Sequence, residues 1–172
     1  TVPGGGEAAL RGGTGPIMAG HRFGLAGWMS AIRAIASRCG LGGIEEAAWG
    51  IGWTWRGKPV GAIGDIGCFS FHPRKVITTG EGGMVTTNDA EIAEKCTMLR
   101  NHGASISEEQ RHHGAKPYIL PDFNLLGFNY RMTDLQGSIG IVQLEKLDRF
   151  IDERATWAAW YRTQWSGIEW LC

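Results

Sequence analysis

The sequence has no excess of charge of either sign: 17 Lys and Arg stand against 17 Asp and Glu in 172 residues. A neutral chain has no global field to draw in DNA, RNA or an anionic membrane surface, so any anion must be held by a local pocket, and nucleic acid is not an expected partner. Cysteine is scarce as well. Cys39, Cys68, Cys96 and Cys172 form no C-x-x-C pair and have no histidine at finger-like spacing. Neither a disulfide framework nor structural zinc is expected, and the thiols read as reduced. His72, His102, His112 and His113 lack a carboxylate or thiol partner at ligand spacing, so no metal is expected either. No apolar run reaches the roughly 18 residues of a membrane span, and the first residues lack a charged-then-apolar signal pattern. The expected location is the cytoplasm, with no membrane as partner.

What the chain has is a core's worth of apolar residues, 43% of the total, together with 27 Gly and 8 Trp. Gly4-Gly5-Gly6 and Gly12-Gly13 weaken any regular structure near the start. Trp28, Ile32, Ile35 and Cys39 recur at helical spacing and Gly40 supplies a stop, which predicts one helix. A buried strand is expected over Leu41 to Ile44, its polar end Glu45-Glu46 opening onto a site. Gly67 to Phe71 reads as a strand, and Val76 to Thr79 and Met84 to Thr87 as two further β-branched runs around Gly80-Glu81-Gly82-Gly83.

Asn88 with Glu91 predicts a capped helix carrying Ile92, Cys96 and Leu99 on one face and ending near Arg100. Residues 101–126 have no period and read as a loop. Thr133 and Gln136 form a capping box at the start of a longer helix through Leu135, Ile139, Val142, Leu144, Leu147 and Ile151. The tail from Thr156 reads as the start of a further element. Helices interleaved with short apolar strands give an α/β layer architecture.

Several residues could carry chemistry. Along Cys68 to Phe71 the side chains alternate, so Phe69 and Phe71 share a face and Ser70 points to the other. Lys75 follows, ahead of a run expected to tie the local backbone into a sheet and so hold the lysine in place. An amine attacks an aldehyde well only when burial or a neighbouring cation lowers its pKa, and most lysines are solvated surface groups. Of the neighbouring Glu45 and Glu46, only one can line a given pocket, because an extended backbone sends them to opposite faces. Gly61-x-x-Gly64-x-x-Gly67 does not fit the dinucleotide pattern G-x-G-x-x-G.

The unbroken stretch from Gly64 through Ser70, His72-Pro73-Arg74-Lys75 and Gly80-Glu81-Gly82-Gly83 to Met84 closely resembles the DegT/DnrJ/EryC1/StrS family of sugar aminotransferases that depend on pyridoxal 5'-phosphate (PLP). Gly127 to Gln136 resembles the family's second signature, with Leu99-Arg100-Asn101-His102-Gly103 between them at the expected place. The likeness covers about residues 15–165 and is strongest over 61–150. It implies a PLP-dependent transferase of fold type I, with a mixed, mostly parallel sheet. Residues 1–155 would be part of the large cofactor-binding domain and 156–172 the start of a C-terminal small domain. Family members are longer, so the chain reads as a fragment from their middle.

By position, the resemblance implies that Lys75 carries PLP as a Schiff base and shuttles the proton. Ser70 would donate to the cofactor phosphate and Asn129 would reach the phosphate of a partner subunit, implying a homodimer. The family's Asp beside the pyridine nitrogen is replaced by Glu46, and Trp49 stands where His or Gln contacts cofactor or substrate, either stacking on the ring or blocking the site. The activity implied is transfer of an amino group from an amino acid such as glutamate to a keto group of a nucleotide-linked sugar. Three alternatives stay open: an inactive or truncated relative acting as a non-catalytic module, a PLP-dependent sugar dehydratase, and a nucleotide-binding domain without PLP. Dehydratases of this fold carry His at the Schiff-base position, which Lys75 disfavours.

Overall fold

A computed structural model describes residues 3–22 and 28–168; Cys172 lies outside them. Three parallel strands, β1 (Ile17–Gly20), β2 (Gly43–Glu46) and β5 (Ile66–Ser70), and one antiparallel strand, β6 (Gly83–Thr86), form a sheet in the order β1-β2-β5-β6. The mixed, mostly parallel α/β architecture is the one expected. A small hairpin, β3 (Thr54–Trp55) with β4 (Lys58–Pro59), leaves the sheet between β2 and β5.

Helix α2 (Met29–Arg38) joins β1 to β2 and covers one face, burying Met29, Ile32, Ile35 and Ala36. Met29 and Ile32 meet Ala19 and Ile63, with Ile17 and Trp55 packed against them. Each large side chain taken out of water there contributes about 1.5–3 kcal/mol. The glycine-rich start was not legible, yet Pro3–Ala8 forms a short helix, α1, joined to α2 by the Glu7–Arg38 ion pair.

Several elements depart from the sequence expectation. β2 starts two residues later than expected and takes in both Glu45 and Glu46, because these two pair with Ala19 and Gly20 of β1. Val76 to Thr79 is not a strand. Thr78 Oγ1 and the amide of Thr79 both return to the carbonyl of Phe71, at 2.9 and 3.1 Å, closing the segment into a loop at the end of β5. Local hydroxyl-to-backbone bonds compete with a ladder here and win.

The cap of α3 (Ala90–Arg100) is Asp89 rather than Asn88; its carboxylate accepts from the amides of Glu91 and Ile92. Ile92 and Cys96 are half-buried on α3, and Leu99 is exposed. The expected loop 101–126 contains a short helix, α4 (Glu108–His113), with its own capping box of Ser107 and Gln110. The Thr133–Gln136 box caps α5 (Asp134–Glu145) as expected, but the helix breaks at Lys146. Beyond it α6 (Leu147–Gln164) runs unbroken past Thr156, so no new element begins there.

Candidate active site at the carboxyl ends of the parallel strands

The three parallel strands end together. Gly20, Glu46 and Cys68 stand in one row across β1, β2 and β5, and Ser70 closes β5 opposite Gly83 of β6. In an open α/β sheet this is the end at which ligands bind, because side chains and loops leaving the strands converge there. Lys75 enters through the loop after β5, which two local bonds hold: the Lys75 amide bonds the carbonyl of His72 at 2.9 Å and the Arg74 amide bonds His72 Nδ1 at 3.2 Å. The far side of that loop is tied to α5, where Gln143 Oε1 accepts from the amide of Thr78 and Gln136 Nε2 donates to the carbonyl of Glu81. The backbone around Lys75 is thus held by a closed loop latched to a helix, not by the sheet pairing expected of Val76 to Thr79.

The two adjacent glutamates take opposite roles. Glu45 is fully buried: Oε1 accepts from the amides of Ile63 and Gly64, and Oε2 from the amide of Gly61 and from contact with His21 Nε2 at 2.9 Å. Burial alone would raise its pKa, but the His21 hydrogen bond and the three amides outweigh it and hold the carboxyl below its ordinary value. Sequence reading missed His21 as a partner; the signal was a histidine directly after an apolar strand, ambiguous without knowing which strand lies alongside. The Gly61-x-x-Gly64-x-x-Gly67 spacing belongs to this carboxylate. Gly61 has φ +87° and faces the Phe69 ring, and a Cβ at Gly67 would strike the carbonyl of Gly61. The motif is a wrapping for Glu45, not a phosphate loop.

Glu46 points to the other face and is half-buried. Its side chain folds back, Oε1 accepting from the amide of Ala48 at 3.0 Å while Oε2 lies by Gly20. The extra methylene relative to aspartate is accommodated by that curl. In the same row the Cys68 thiol is pushed up in pKa by burial, with Cys96 and Glu46 adding to it, and stays protonated.

Trp49 follows in the turn closed by the Gly50 amide on the carbonyl of Ala47. Its indole lies against Lys75, with Nζ 4.1 Å from the ring centroid. Ser70 Oγ accepts a long bond, 3.4 Å, from the amide of His72. Lys75, Trp49, Glu46 and Ser70 therefore belong to one end of the sheet. Asn129 does not join them within the chain: it is exposed, and its backbone bridges Asn101 beyond the end of α3. A cavity of about 610 Å³ opens at the opposite end of the strands, among Arg33, Gly43, Asp65, Ile66 and Asn88, away from this chemistry.

The donor set fits PLP: an amine for the aldehyde, a carboxylate on the next strand for a protonated ring nitrogen, and a hydroxyl able to donate to a phosphate. A family model described as the DegT/DnrJ/EryC1/StrS aminotransferase family matches residues 5–171. The chain is 41% identical over 155 residues to the GDP-perosamine synthase of Caulobacter vibrioides, covering 90% of this chain and 39% of that protein. It is 39% identical over 164 residues to the UDP-N-acetyl-3-dehydro-alpha-D-glucosamine 3-aminotransferase of Acidithiobacillus ferrooxidans, covering 95% of this chain and 41% of the relative. Among solved structures, the aminotransferase from Psychrobacter cryohalolentis superimposes with a TM-score of 0.77 at 36% identity, over 84% of this chain and 36% of that one. The chain spans about two-fifths of the length of the curated relatives it matches.

Proposed function

Since the chain belongs to the DegT/DnrJ/EryC1/StrS aminotransferase family, we propose that the protein transfers an amino group, with PLP as cofactor, from an amino acid donor such as glutamate to a keto group of a nucleotide-linked sugar. The observation that carries this reading is Lys75, in a latched loop at the same end of the sheet as Glu46 and Ser70. Bound PLP supplies an electron sink for the carbon that gains or loses the amine. The chain's own residues do the rest. Lys75 Nζ would anchor the cofactor, and as a free amine it would be the base that moves the proton at the substrate carbon. Glu46 holds the ring nitrogen protonated. Ser70 Oγ donates to the phosphate, a charge-assisted bond worth about 1.5–3 kcal/mol.

In this reading Asn129, exposed on its segment, donates to the phosphate held by a partner subunit, so the active unit is a homodimer. Residues 1–155 contribute to the large domain and 156–172 lead into the small one. No helix among the described residues is long and apolar enough to cross a membrane, which accords with a cytoplasmic enzyme. A lysine at position 75 favours transamination over the dehydratase chemistry of histidine-bearing relatives.

Borohydride reduction of the full-length protein with PLP, followed by peptide mapping, tests the anchor. Lys75 is expected to carry the reduced cofactor and Lys75→Ala to carry none. Amine transfer to a panel of nucleotide keto-sugars then identifies the acceptor. A second reading, a non-catalytic relative, is favoured by the Trp49 contact on Lys75 and by the curled Glu46. Absence of trapped cofactor in the wild-type protein would select it.

A further inference from the structure

Trp49 stands three residues after Glu46, in a turn whose placement is fixed from both sides. The Ala47 amide extends the β2–β5 ladder by bonding the carbonyl of Cys68 at 2.8 Å, and the Gly50 amide closes the turn on Ala47. The indole is 44% exposed. Its face meets the amine of Lys75 with Nζ 4.1 Å from the centroid. Of the aromatic side chains, indole offers a cation the most favourable face. The contact acts on the one nitrogen that the proposed chemistry requires.

We propose that Trp49 is a positioning residue that holds Lys75 in its uncombined, charged form and so competes with the cofactor for the lysine nitrogen. The inference rests on the assignment of Lys75 as the cofactor lysine. Attachment requires the ammonium to give a proton to solvent; Nζ then bonds the aldehyde carbon and the aldehyde oxygen leaves as water. The compact charge that the ring attracts is given up in that step, so the contact stabilises the state before attachment. The effect has a definite sign. An indole stacked on the cofactor ring would strengthen PLP binding, whereas an indole holding the lysine weakens it. The same hold favours the lysine each time the amino donor displaces it.

The test uses the full-length protein, with PLP as probe, titrated by the absorbance of the bound cofactor. Trp49→Leu, which removes the ring without adding a hydrogen-bonding group, is expected to tighten the apparent Kd by about two- to fivefold, the size of a cation–π contact at a partly exposed site. Trp49→Phe, with a weaker ring face, falls between. A second readout is independent of the cofactor: in the PLP-free protein the ε-methylene protons of Lys75, assigned by their loss in Lys75→Ala, are shifted upfield by the ring current. Trp49→Leu abolishes that shift. Unchanged or weakened PLP binding in Trp49→Leu, or normal ε-methylene shifts in the wild type, overturns the inference. If reduction fails to place PLP on Lys75 at all, the functional assignment falls instead; the ring-current measurement still decides whether Trp49 holds the lysine.

Discussion

Glu45 has no contact with water, yet four donors surround its two oxygens: His21 and the amides of Gly61, Ile63 and Gly64. A buried carboxylate is tolerable only with such full satisfaction, and removing part of it costs more than the net worth of any single bond. Glu45→Gln places an amide NH₂ against either His21 and Gly61 or Ile63 and Gly64, and is expected to lower stability by about 2–4 kcal/mol in urea unfolding of the full-length protein. The pH dependence follows from the same set of contacts. The folded carboxyl sits below its ordinary value, so its contribution is complete above the unfolded pKa and is lost as pH falls through the folded one. Wild-type stability should fall from about pH 5 downward, with a shallower fall in Glu45→Gln. A parallel acid dependence in both proteins would refute the role. At this scale the sequence was partly legible: alternation said that Glu45 and Glu46 face opposite ways, but which faced the core depended on the position of the loop at Gly61.

Among the elements, α5 links the second sequence signature to the lysine loop. Gln136 serves two ends: Oε1 accepts from the amide of Thr133 at 2.9 Å, completing the capping box, and Nε2 donates to the carbonyl of Glu81 at 2.9 Å. Gln143, two turns on, holds the amide of Thr78. Gln136→Glu preserves the cap acceptor but sets a carboxylate oxygen against a carbonyl. The expected cost is about 1–3 kcal/mol, read as a lower melting temperature together with faster proteolysis at the 76–82 loop. Equal protease resistance in variant and wild type would separate the helix from the loop. The capping box was readable from four consecutive residues because its geometry is local. The strand expected over Val76–Thr79 was wrong because β-branched composition cannot report that two threonines bond back to Phe71 and its surroundings. The break at Lys146 was equally invisible in an apolar pattern that continues across it.

Over the whole molecule, apolar surface is left bare. Leu126 is 92% and Leu135 80% exposed, and on α5 Ile139, Ile141, Val142 and Leu144 are also uncovered on several sides of one helix. A helix apolar around its circumference is a buried helix, and patches this extensive mark contact with other protein. The proposed homodimer and the greater length of the relatives both offer such cover. The 172-residue segment produced alone is therefore expected to bind a hydrophobic dye and to self-associate at micromolar concentration. The full-length protein should sediment as a discrete dimer with little dye binding. A monodisperse, dye-silent segment would contradict this account.

The sequence by itself determined the family-like stretch around Lys75, the α/β class, the helix α2 and the capping box of α5, since each depends on residues close along the chain. It also placed Ser70, Glu46 and Lys75 in order, because strand ends and the loops that follow them are adjacent in sequence. Only the tertiary structure decided that Glu45 is the carboxylate wrapped by Gly61 to Gly67, that α5 latches the lysine loop, and that the indole of Trp49 lies on Lys75. Those contacts join residues as far as 65 positions apart, and what brings them together is the order of strands in the sheet, which no local pattern encodes.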